Sequence, residues 1–250
     1  MILLLIILLL LPSYSQANVR DGLVGWWKLD ETSGAAIDSS KFGNNGTSNG
    51  TTYNTNCVRN NCRSFNGSTD SITASDNAAL DPTQAITLSV WVKRNRTGAR
   101  EIFFDKGTFN GSNDGQYWVE FQGDDTVRFL IYLGSSFSTD QVITASSFNK
   151  TGVWYHIVAT YDRITMRTYV NGVADANTTA ETDSIRSTAL EFCLGNRGGS
   201  HDIPLNGYLD DVRMYNRALT PQEVLDLYNQ GMIIRGNGTK LNGTGSKFNY

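Results

Sequence analysis

The chain has 250 residues, with 21 Lys and Arg against 24 Asp and Glu and a formal charge of −3. No block of like charge occurs. A nucleic-acid groove or a docking face for anionic membranes, each built on clustered basic residues, is therefore not expected. Arg94, Arg96 and Arg100 come nearest to such a cluster and read as an exposed turn after a strand.

Residues 2–11 are an unbroken Ile and Leu run, followed by Pro12 and then Ser15-Gln16-Ala17. The run is too short to span a bilayer, which takes about 20 residues, and it suits a secretory signal with a small-residue cleavage site. The expected division is a signal peptide over 1–17, one domain over 18–232 and a flexible polar tail over 233–250, rich in Gly, Asn, Thr and Ser. The predicted location is extracellular, with no membrane insertion of the mature chain.

Period-2 alternation predicts strands at Leu23–Leu29, Ile86–Val92, Tyr117–Phe121, Val127–Leu133, Trp154–Tyr161 and Ile164–Val170. Turn clusters separate several of them: Asn110–Gly115, Gln122–Asp125 and Asn171-Gly172. Asp38–Asn56 reads as a long surface loop. Strands of five to eight residues with such punctuation mean antiparallel β, as a sandwich, jelly roll or barrel. A last strand runs from Gly207 to Tyr215, and the one convincing helix follows it. Thr220 is its N-cap, Pro221 its first residue and Glu223 the partner in a capping box. Val224, Leu225 and Tyr228 make its apolar face, and Gly231 ends it.

In an oxidising compartment Cys57 and Cys62 can close a small disulfide loop; a metal site is the rival, with too few ligands nearby. Cys193 reads as a buried thiol. Nine Asn-x-Ser/Thr sequons, at Asn45, Asn49, Asn66, Asn95, Asn110, Asn149, Asn177, Asn237 and Asn242, make an exported chain a candidate glycoprotein.

Several motifs together resemble the laminin-G-like, concanavalin A-type jelly-roll domains. They are Gly22-Leu-Val-Gly-Trp-Trp-Lys-Leu-Asp-Glu31, Phe65-Asn-Gly-Ser-Thr-Asp70, Thr87-Leu-Ser-Val-Trp-Val92, Trp154-Tyr-His-Ile-Val-Ala159 with Tyr169-Val-Asn-Gly172, and the closing Asn206–Tyr228 stretch. Asn66 and Asn171 stand where the family pattern has acidic residues. The resemblance implies an all-β two-sheet antiparallel sandwich with one short C-terminal helix. It also implies an extracellular binding module for glycans or other proteins.

Related sandwiches that hydrolyse glycosides carry an E-x-D-x-E strand, and this chain has none. Asp210 and Asp211 are adjacent, so alternation places them on opposite faces. No enzyme is expected. His156 reads as a structural residue in mid-strand, and His201 as a loop residue. The family often holds a structural ion where the first and last strands meet, which makes Asp30 and Asp210 candidate calcium ligands. The alternative is an Asp210 satisfied by backbone amides. Trp91, Arg128, Tyr132, Arg167 and Tyr169 alternate with the predicted core and form the candidate ligand surface. The expected function is a secreted, non-catalytic, lectin-like module recognising glycans. The alternatives are a protein–protein adhesion or surface-structural module and, more remotely, a glycoside hydrolase.

Overall fold

A computed structural model describes residues 18–108, 114–134 and 138–232. The expected signal peptide, the sequon at Asn110 and the 233–250 tail with Asn237 and Asn242 lie outside the described residues. The chain forms the expected pair of antiparallel sheets with one helix. Strands are numbered in chain order.

The first sheet runs β13 (Val173–Ala180), β12 (Thr165–Val170), β11 (Trp154–Tyr161), β6 (Ile86–Arg94), β15 (Asn206–Tyr215), β4 (Cys62–Asn66) and β3 (Thr52–Asn54). Its last member, β1 (Leu23–Trp27), pairs with the second half of β15. The second sheet runs β10 (Thr139–Ser147), β9 (Thr126–Tyr132), β8 (Asp114–Phe121), β7 (Glu101–Thr108), β14 (Phe192–Leu194), β5 (Ser71–Ala74) and β2 (Thr47–Asn49). Between the sheets lie Val24, Trp27, Phe65, Ile72, Leu88, Val90, Phe104, Tyr117, Phe129, Ile157 and Met214, all buried. Trp27 stacks on Phe192 with ring centroids 4.9 Å apart. Each such side chain contributes about 1.5–3 kcal/mol by leaving water.

Asp38–Asn56 is more ordered than its composition suggests. It supplies β2 and β3, and its Asp38 carboxylate accepts N–H groups from Trp26, Ser40 and Asn44. Arg94, expected in an exposed turn, is fully buried; its guanidinium donates to Glu101 at 2.9 Å and Asp125 at 2.6 Å. A buried charge persists only when paired in this way. On one side of the sandwich, side chains of β13 stitch its edge to that of β10. Asp175 accepts the Ala145 amide, Asn177 donates to the Ile143 carbonyl and Thr179 donates to the Gln141 carbonyl.

The helix, α1 (Pro221–Gly231), has the expected cap: the Thr220 hydroxyl accepts the Glu223 amide, and Glu223 accepts the Thr220 amide at 2.8 Å. It covers the outer face of the first sheet, where Val158, Tyr169, Tyr215, Leu219, Val224 and Leu227 form a second core. Leu225 lies on the helix's outer side, 36% exposed. Gly231 is the last helical residue rather than a left-handed cap. A Cβ there would lie 2.5 Å from the Trp91 ring, so glycine is required by the close approach of helix to sheet. Thr220→Ala is expected to cost about 1 kcal/mol. In thermal denaturation that lowers Tm by about 2–4 °C, with the sheet's far-UV signature unchanged.

Candidate functional site

The outer face of the second sheet is polar, whereas the part of the first sheet's outer face under α1 is an apolar patch. Along β8, Tyr117, Val119 and Phe121 point into the core, so Gln116, Trp118 and Glu120 point out. Register sets Asp105 of β7 and Leu130 of β9 on either side of Trp118, and Arg128 of β9 beside Glu120. Glu120 is fully buried and accepts from both Arg100 and Arg128. The Arg128 guanidinium also lies 5.4 Å from the Trp118 ring centroid, that of Arg197 at 5.6 Å, and Tyr132 meets the ring edge-on at 5.7 Å.

The chain following β14 returns over this face. Gly198 donates its amide to Asp105 Oδ2 at 2.8 Å. Burial pushes the Asp105 carboxyl up to about 7, against the opposing pull of that amide and of Arg197. Both amide atoms of Gln116, Asp105 Oδ1, Trp118 Nε1 and Asn196 Nδ2 are buried without a hydrogen-bond partner among the described residues. Folded proteins rarely leave so many polar atoms unpaired in one place, since each costs about 1–3 kcal/mol.

The five expected ligand residues divide between the two sheets. Arg128 and Tyr132 belong to this polar face. Arg167 is exposed on β12 of the other sheet. Trp91 and Tyr169 are each 2% exposed beneath α1, with Trp91 stacked on Tyr228 at 5.5 Å. Alternation places both correctly opposite the core, but the helix forms a second layer over them, so they are not open to a ligand. Asp105, Gln116 and Glu120 escape a sequence reading, although Gln116 and Glu120 alternate with Tyr117, Val119 and Phe121 and could be found that way.

A second site lies where β1 leaves the first sheet. Asp211 has a left-handed backbone (φ 46°) and β15 bulges against β6 between Asp210 and Arg213. The bulge breaks the alternation: Leu209 and Val212 both face the core, and Asp210 pairs with Trp91 on the outer face. Asp210 and Asp211 therefore line one pocket, of about 180 Å³, with Trp26, Lys28, Asp30, Arg59 and Asn60. The Cys57–Cys62 disulfide closes the loop that roofs it.

Asp30 and Asp210, the expected calcium ligands, are thus neighbours, but their oxygens are engaged. Asp30 accepts from the Asn61 amide and the Asn60 side chain. Asp211 accepts from Trp26 Nε1 at 2.7 Å and from Arg213. Asp210 Oδ2 accepts the Arg59 amide at 2.9 Å. Asp210 Oδ1 alone is buried and unpartnered among these carboxylate oxygens. Calcium takes six to eight oxygens. A set of N–H-bonded carboxylates with Lys28 and Arg59 alongside does not fit it.

His156 is a structural residue, as expected: it is 2% exposed, its Nε2 lies 3.0 Å from Ser89 Oγ, and burial lowers its pKa to about 3. Cys193 is a buried thiol, and burial raises its pKa. The sequons at Asn45, Asn49, Asn66, Asn95, Asn149 and Asn177 all stand on exposed side chains.

A family model described as the concanavalin A-like lectin/glucanases superfamily matches residues 66–225. No curated protein matches the sequence. Among solved structures, the binding domain of Paraclostridial Mosquitocidal Protein 1 is similar at TM-score 0.68 and 16% identity, over 85% of this chain and 53% of that one. Domain 4 of AbnA, a GH43 extracellular arabinanase from Geobacillus stearothermophilus, in complex with arabinotriose, matches at TM-score 0.65 and 22% identity, over 82% of this chain and 98% of that one. The ligand binding domain of Botulinum neurotoxin serotype D in complex with N-acetylneuraminic acid matches at TM-score 0.65 and 14% identity, over 86% and 52%. The chain spans about half the length of the toxin domains. At these identities the likeness is one of fold.

Burial, with Asp211 and Asp30 nearby, raises the Asp210 carboxyl from 3.8 to about 8, against the pull of the Arg59 and Val58 amides. The folded form thus holds this proton more tightly than the unfolded chain. The group's contribution to stability is complete below about pH 4 and is lost as pH rises towards 8. Asp210→Asn is expected to melt at least ~2–4 °C above the parent at pH 8, the shift that about 1 kcal/mol gives in a domain of this size. The difference should shrink on approach to pH 4, as measured by Tm against pH.

Proposed function

The chain belongs to the concanavalin A-like lectin/glucanase superfamily, and on that premise we propose that it is an exported, non-catalytic module that binds glycans on the outer face of its second sheet. The observation that carries this reading is the half-buried Trp118, flanked by the Arg128 and Arg197 guanidiniums and standing over buried polar atoms of Gln116, Asp105 and Asn196 that have no partner among the described residues. Sugars present alternating hydroxyls and C–H faces. Amide, carboxyl and indole N–H groups answer the first, and aromatic rings the second. Two of the similar solved structures are described with a saccharide, arabinotriose in one and N-acetylneuraminic acid in the other, which supports the choice of ligand class.

Hydrolysis draws less support. Asp105 and Glu120 share the face, but Glu120 is clamped by two arginines and Asp105 by the Gly198 amide, and both are fully buried. Neither presents an oxygen to a scissile bond. Export draws on residues 1–17 and on the Cys57–Cys62 disulfide, a bond that persists in oxidising compartments.

On a glycan array the protein should retain at least one saccharide class. Trp118→Ala and Gln116→Ala should each weaken that binding by tenfold or more, while Arg167→Ala leaves it within twofold. No retained glycan, or full binding by the Trp118 variant, would sink the proposal. A protein partner captured without competition from sugars would favour the adhesion reading instead. Expressed in a secreting host, the mature chain should begin at Asn18 by N-terminal sequencing; an intact Met1 would contradict export by cleavage.

A further inference from the structure

The pocket beneath the disulfide loop has a chemistry of its own, distinct from the polar face of the second sheet. Its base is Asp210, fully buried, with Oδ1 unpartnered. Asp30 lines the same pocket, half-buried and anchored by Asn60 and Asn61. Trp26 forms a wall, held by its indole N–H to Asp211. At the rim are two cations. Lys28 is exposed, 4.7 Å from the Trp26 ring, with no carboxylate partner among the described residues. The Arg59 side chain is 41% exposed, its guanidinium a distant 3.8 Å from Asp211. The carboxyl groups lie deep and the positive charge lies at the mouth.

That polarity selects against the simplest ions. A bare metal cation meets too few open oxygens, because the others already accept N–H groups. A bare anion meets Asp210 and Asp30. A molecule carrying both charges meets neither objection. A primary ammonium needs one or two oxygens in directed positions, which Asp210 Oδ1 and Asp30 offer, and a carboxylate two or three bonds away reaches Lys28 and Arg59. The volume, about 180 Å³, is near that of the ~150 Å³ cavity that takes a benzene ring, so the occupant is a molecule of that size rather than a polymer.

We propose that this pocket binds a small zwitterion, an α-amino acid in size and chemistry, with its ammonium on Asp210 and its carboxylate on Lys28 and Arg59. An arriving ammonium favours the ionised carboxylate, so near neutral pH Asp210 gives up its proton to the buffer as the ligand enters. The disulfide loop presents the Arg59 amide to Asp210 and the Asn61 amide to Asp30, and it keeps both carboxylates in place.

Isothermal titration calorimetry on the whole mature chain tests this, with L-alanine, ethanolamine, acetate and calcium chloride as separate titrants. L-Alanine should saturate one site, with a heat that depends on the buffer's own ionisation enthalpy. Asp210→Asn keeps the shape and the acceptor for the Arg59 amide, and should weaken L-alanine at least tenfold. Lys28→Gln, on an exposed residue, should weaken L-alanine several-fold while leaving ethanolamine within twofold. No saturable heat from L-alanine at millimolar concentration overturns the proposal, as does undiminished binding by the Asp210 variant. Calcium saturating the site in an Asp210-dependent way also overturns it, in favour of a metal site. None of these results bears on the glycan face, whose variants lie on the other sheet.

Discussion

One strand is shared by three partners, and the helix side of the sandwich depends on that sharing. β15 pairs with β6 along one edge, and with β4 and then β1 along the other. Backbone N–H and C=O groups must be satisfied throughout a buried sheet, so the changeover from β4 to β1 leaves a place where the ladder cannot be regular. The bulge at Asp210–Asp211 sits at that changeover, and a left-handed Asp211 absorbs the extra residue. The carboxylates delivered there are neutralised by Arg213 and by amides from the 57–62 loop. The zwitterion pocket follows from a pairing constraint.

The two outer faces divide the remaining work by composition. Val158, Tyr169 and Tyr215 on the first sheet would cost too much in water, and α1 is positioned by the turn after β15 to cover them. Gln116, Glu120 and Arg128 on the second sheet satisfy one another only in part, and the half-buried Trp118 stands among them. The protein closes the apolar face with its own helix. It leaves the mixed face as the one suited to a partner.

The strands with clean alternation, Ile86–Val92, Trp154–Tyr161 and Val127–Leu133, were legible because each has one apolar face and one polar or covered face. The helix was legible from its cap, since Thr220, Pro221 and Glu223 each carry a local reason for their place. β4, β7, β10 and β13 escaped because their runs lack a clean apolar alternation, and the rest of what escaped was non-local. β2, β3, β5 and β14 are three or four residues long and carry too few alternations to read, and they exist because longer neighbours recruit their backbones. The covering of Trp91 depends on a helix some 130 positions later in the chain, and period-2 reasoning reports only which side a residue faces, never what lies above it. The bulge at Asp211 defeated strand parity for the same reason. The extra residue of a bulge reverses every facing assignment on one side of it.

The stitched seam between β10 and β13 reaches beyond local packing. An open sheet edge is a template: its unpaired amides and carbonyls recruit any extended chain that drifts past, and crowded solutions of β proteins thicken into fibres by that route. Here Asp175, Asn177 and Thr179 occupy groups of the β10 edge with side chains, which cannot propagate a ladder. The sandwich is thereby blunted on one flank against its own copies.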